Sequence, residues 1–121
     1  MKNLLFGLFM LFVVTPVFAE IKAKHVAGTW TYNLQAPDGN LTGSLEFTKE
    51  KNDKLSGKVI TDTGDTYTMI KVEIQDGDVV YFELQPDYEL IKVSMTLKDD
   101  TYKGIVAVSQ GEMPVTGEKR K

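Results

Sequence analysis

Few residues of this chain could do chemistry. A single histidine, His25, stands in "AKHVAG", there is no Cys in 121 residues, and acidic side chains gather as Asp62/Asp65, Asp76/Asp78 and Asp99/Asp100. General acid–base work needs a histidine or carboxylate oriented by a partner within hydrogen-bond reach. A catalytic zinc needs three protein ligands of His, Cys or carboxylate type. His25 would have to be joined by carboxylates from separate loops, so no metal site is expected. Each acidic pair falls in a polar cluster between apolar runs, where Asp serves turn geometry by bonding nearby backbone. With no nucleophile, oriented base or metal cluster in view, the reading is a non-enzymatic protein without a cofactor.

The elements that would position any site begin after the first 19 residues. "MKNLLFGLFMLFVVTPVFA" has one Lys, an apolar run from Leu4 to Val14, a proline break and Val17-Phe18-Ala19 before Glu20. This is the pattern of a cleavable secretory signal, and the run is too short for a membrane span of roughly 20 residues. The expected destination is periplasmic or extracellular, with residues 20–121 forming one domain. Lacking cysteines, that domain must be held by its core rather than by disulfides. The chain carries a formal charge of −3 with its lysines scattered, which leaves no electrostatic footprint for nucleic acid or anionic lipid.

Within 20–121 the pattern is all-β. Short β-rich runs alternate with polar turn clusters at spacings of about ten residues, giving eight strands: Gly28–Leu34, Leu41–Thr48, Leu55–Thr61, Tyr67–Ile74, Val79–Leu84, Glu89–Leu97, Tyr102–Ser109 and Met113–Lys119. The links are too short for parallel crossovers, so successive strands must be antiparallel neighbours. One apolar face per strand favours closure into an eight-stranded up-and-down meander barrel, which removes exposed edges. Alternation places Trp30, Tyr32, Phe47, Thr68, Ile70, Val72, Phe82, Met95 and Tyr102 inside. It also places Gly43, Gly57 and Gly104 inside, either as corners or as room for a ligand. "KNDKLSGKV" at 51–59 returns as "KDDTYKGIV" at 98–106, and "LQAPD" at 34–38 as "LQPD" at 84–87, so the halves read as one repeated four-stranded unit.

Gly28-Thr29-Trp30 at the start of the first strand, with Lys119, Arg120 and Lys121 at the end of the last, resembles the calycin superfamily of lipocalins and avidins. That resemblance implies that Gly28 and Trp30 close one barrel end and that Arg120 packs over the indole as a cation on an aromatic face. The disulfides of secreted animal lipocalins and the further tryptophans of avidins are missing, which argues against biotin. Small lipocalin-like bacterial export proteins are the nearest likeness.

Two functional readings follow. One is an exported binding protein taking a small apolar or aromatic ligand among Tyr32, Phe47, Phe82, Met95 and Tyr102. An eight-stranded barrel lies at the boundary between a filled interior and one that holds a single small molecule. The alternative is a protein–protein module, an envelope accessory protein or protease-inhibitor-like barrel. Its partner or homodimer surface would be an outward patch of Tyr67, Met69, Val79, Tyr81 and Leu90, apolar where alternation calls for polar residues.

Overall fold

A computed structural model describes residues 21–121, and the expected signal segment at 1–19 lies outside the described residues. A short helix α1 (Ala23–Val26) precedes nine strands: β1 (Gly28–Ala36), β2 (Gly39–Lys49), β3 (Leu55–Thr61), β4 (Thr66–Thr68), β5 (Lys71–Gln75), β6 (Val79–Leu84), β7 (Ile91–Lys98), β8 (Thr101–Val108) and β9 (Gly111–Glu118). They form one antiparallel sheet in the order β4-β3-β2-β1-β9-β8-β7-β6-β5. Its two end strands are consecutive in the chain, so the sheet curls until they meet.

The strand count is nine rather than the expected eight because the fourth strand breaks at Met69–Ile70. Its first part pairs with β3, and the Met69 N–H extends that ladder by donating to Gly57 O at 2.9 Å. Its second part pairs with β6, and the Ile70 N–H donates to Glu83 O at 2.8 Å. Lys71 also stands opposite Glu83, so two residues oppose one, which is the count of a β-bulge. The bulge hands the chain from one sheet edge to the other and reverses its alternation. Tyr67 therefore shares the inner face with Val59, its cross-strand partner, and Met69 is buried. Val72 and Ile74 then resume the inner face opposite Phe82 and Val80. Thr68 and Ile70, expected inside, are exposed, Ile70 by 57%.

The interior is one apolar cluster centred on Trp30, Phe47, Val80, Phe82, Met95 and Tyr102. Three inner-face glycines, Gly43, Gly57 and Gly117, are filled by neighbouring side chains, whereas a Cβ at Gly104 would run into the Ser94 carbonyl. A Cβ at Gly43 would lie 2.7 Å from the Tyr32 ring, and one at Gly57 would lie 2.6 Å from the Met69 sulfur. At Gly117 it would lie 2.7 Å from the Tyr102 ring. Removing the side chain lets a long residue from the next strand lie flat across the wall, a device that also helps a sheet to curve. The repeated segments occupy equivalent places: 51–59 and 98–106 return from the same barrel end into β3 and β8, and 34–38 and 84–87 leave β1 and β6 at the other.

Candidate binding site at the open end of the barrel

One end of the barrel is closed. Trp30 is fully buried there, and its Nε1–H donates to the Val26 carbonyl of α1 at 2.9 Å. The cation over the indole is Lys119, not Arg120: its Nζ lies 5.7 Å from the ring centroid and donates to His25 O at 2.6 Å. Register decides this. Trp30 bridges directly to Lys119, which puts position 119 on the inner face, whereas Arg120 is exposed and only its backbone N–H engages Thr29 O. Gly28, at φ +130°, leaves room for the Lys119 chain, which a Cβ would meet at 3.1 Å. His25 also belongs to this closure. Its ring meets Trp30 edge-on at 6.1 Å, and Nε2 lies 2.8 Å from Asp99 O. The single histidine is thus spent on the plug. Among the described residues, no group of three His, Cys, Asp or Glu is placed to hold a metal ion, and no helix is long and apolar enough to cross a membrane.

The opposite end carries the turns at 37–38, 62–65, 85–90 and 109–110. Below it lies an apolar cavity of about 120 Å³. Tyr32, Phe82, Met95 and Tyr102 line it, together with aliphatic side chains such as Leu34, Leu84, Ile91, Val93 and Val106. Phe47 does not: it sits nearer the closed end, edge-on to Phe82 at 5.9 Å. The aliphatic members were hard to single out from sequence, because alternation marks every inner residue alike and does not say at which depth the packing leaves space.

The two tyrosines in this wall are differently placed. The Tyr102 hydroxyl crosses Gly117 and donates to Thr31 O at 2.8 Å. It thereby ties β8 to β1 where the β1–β9 ladder lapses between Asn33↔Thr116 and the Trp30↔Lys119 bridge. Burial above all, then the neighbouring Tyr32, holds the Tyr102 phenol well above the usual tyrosine range. Tyr32 is only partly buried, and among the described residues its hydroxyl has no hydrogen-bond partner in the protein. Burial first, then the Asp62 carboxylate and Tyr67, raise its phenol too. The Tyr32 hydroxyl and the Asp62 carboxylate line one open groove at the mouth.

The expected outward patch does not assemble. Val79 and Tyr81 do sit on the outer wall, where Tyr81 bonds Glu83 and lies under Lys71, whose Nζ is 5.8 Å from the ring centroid. Burial and the Glu83 carboxylate push the Tyr81 phenol up to about 12. Met69, however, is in the core, Tyr67 stands on the inner face by the mouth, and Leu90 belongs to the 85–90 turn. The β-bulge at Ile70 moved the first two, and β7 starts one residue beyond Leu90.

No protein-family model matches this chain, and no curated protein sequence does. Among solved structures it is similar to a redesigned β-barrel, with a TM-score of 0.68 at 17% identity over 88% of this chain and 100% of that one. It is also similar to a de novo designed fluorescence-activating β-barrel, with a TM-score of 0.56 at 18% identity over 82% of this chain and 96% of the other. At such identities the likeness speaks for the fold, an antiparallel β-barrel.

Proposed function

We propose that this chain is an exported, lipocalin-like binding protein of the periplasm or extracellular space that takes a small apolar or aromatic molecule into the open end of its barrel without transforming it. The observation that carries the reading is the apolar cavity of about 120 Å³ below the mouth. Drug-sized ligands occupy roughly 300–1,000 Å³, but a dry cavity of about 150 Å³ accepts benzene, so the fitting ligand is the size of a single ring. The division of the outward patch into core, mouth and wall positions counts against the protein–protein alternative.

The test is titration of the purified mature protein with benzene and toluene, followed by NMR, beside Val106→Phe, whose added ring occupies the cavity. Wild type should bind with Kd no tighter than about 0.3 μM, the ceiling that about −1.5 kcal/mol per ligand atom sets for a six-carbon ring, while the variant should not bind. Absence of binding to wild type would refute the reading.

A further inference from the structure

The turns that rim the mouth carry charges of one sign, while below the rim Lys92 shares a groove with Glu89, and Lys103 and Arg120 share one with Asp62. The open-end turns at 37–38, 62–65, 85–90 and 109–110 carry Asp38, Asp62, Asp65, Asp87 and Glu89 and not one Lys or Arg. The closed end carries both signs, with Lys22, Lys24, Lys51, Lys54, Lys119, Arg120 and Lys121 set among Asp53, Asp76, Asp78, Asp99 and Asp100. Exposed apolar groups share the mouth: Leu41 (55% exposed), Tyr67, Leu90 and Tyr88, the last 97% exposed. An acidic apolar rim of this kind is repelled by anionic bilayers, so a membrane surface is the wrong occupant. The rim instead continues the cavity outward.

Some of these groups already have partners. Thr42 bonds the Asp62 carboxylate, Thr63 donates to Asp65 at 3.3 Å, and the Ser109 N–H donates to Glu89 at 2.6 Å. These are hydrogen bonds from neutral donors, and among the described residues no Lys or Arg forms an ion pair with these carboxylates. Tyr32 is the hinge of the arrangement, because it lines the apolar cavity and also lines, with Thr42 and Asp62, the open groove beside it.

We propose that the mouth selects cationic amphiphiles, with an aryl or short alkyl group in the cavity and an ammonium or guanidinium held outside it between Tyr32 and Asp62. This rests on the binding reading above and names its ligand class. The carboxylate attracts the ligand's positive end, the tyrosine oxygen can accept its N–H, and the rings of Tyr32 and Tyr67 offer faces to a cation. A ligand anion of equal size meets the same field with the opposite sign, so the two should differ more than either differs from a neutral analogue.

Three probes of nearly equal shape separate the two proposals: 2-phenylethylammonium, 2-phenylethanol and phenylacetate, titrated at pH 7 in low salt by NMR or calorimetry. The expected order is ammonium, alcohol, carboxylate. The first should bind at least about tenfold more tightly than the last, and the ratio should shrink towards one in about 1 M salt, where the Debye length is near 3 Å. Asp62→Asn, which keeps an acceptor for Thr42, should lower the ratio severalfold. If the alcohol binds and the ammonium binds no better than the carboxylate, the charge selection is refuted and the cavity reading stands. If none of the three binds, the cavity reading falls with it. An unchanged ratio in Asp62→Asn would refute the place given to that carboxylate.

Discussion

Replacing Trp30 by Ala tests the plug, and the structure supplies the terms. The side chain is fully buried, and deleting so large a group costs about 3–5 kcal/mol. The Val26 carbonyl also loses its indole donor, which adds about 1–3 kcal/mol for a buried acceptor left without that partner. Together these approach the whole stability of a small domain. At about 4–8 °C per kcal/mol, the melting temperature should fall by at least about 15 °C. Lys119→Ala removes a cation–π contact and a charged hydrogen bond to His25 O. Because Lys119 is partly exposed, solvent screening holds that loss to about 1–2 kcal/mol. Arg120→Ala, whose side chain is solvent-exposed, should stay within about 0.5 kcal/mol. Urea melts followed by far-UV circular dichroism would read all three. The reasoning is refuted if Arg120→Ala costs as much as Lys119→Ala, or if Trp30→Ala keeps its stability and loses ligand affinity instead.

Three further outcomes are expected. The folded state binds the Tyr102 proton more tightly than the unfolded state does. Its contribution is therefore complete below the unfolded value near pH 10 and is lost as pH rises through the higher folded value. Denaturant midpoints measured from pH 8 to 12 should drop above about pH 10. Tyr102→Phe should begin about 1 kcal/mol lower for want of the bond to Thr31 and show a shallower alkaline drop. Gly117→Ala should cost at least about 2 kcal/mol, because its new methyl would run into the Thr31 carbonyl and the Tyr102 ring; a neutral result in thermal melts would contradict the packing described. Met69→Lys should unfold the protein or lower its stability by several kcal/mol, since the residue is buried in the core. An outward Met69 would tolerate the change, which thermal denaturation would reveal at once.

Much of this architecture was legible in local pattern. Period-two alternation with short polar turns is enough to specify antiparallel neighbours and an inner face, and most residues expected inside are there, from Trp30 and Phe47 to Met95 and Val106. The exceptions cluster at Tyr67–Ile70. A bulge changes the parity of a strand without leaving a residue type that marks it, and here it exists because one strand must serve two edges of a curled sheet. The candidate site was legible in part for a related reason. Tyr32, Phe82, Met95 and Tyr102 fall on the inner face by counting, but the height of each residue along the barrel depends on strand stagger, which no single strand contains.

By itself the sequence determines the all-β meander, the face of nearly every strand, the lack of any cysteine chemistry and the accumulation of acidic residues in turns, because each of these follows from residue type and spacing over a few neighbours. Tertiary structure alone decided that Lys119 rather than Arg120 covers Trp30 and that His25 belongs to the plug. It also decided that the glycines make room for Tyr32, Met69 and Tyr102, and that the acidic turns 62–65 and 85–90 rim one mouth above an apolar cavity. Each of those facts depends on the register between strands distant in the chain and on closure at the bulge, and closure is a property of the whole sheet.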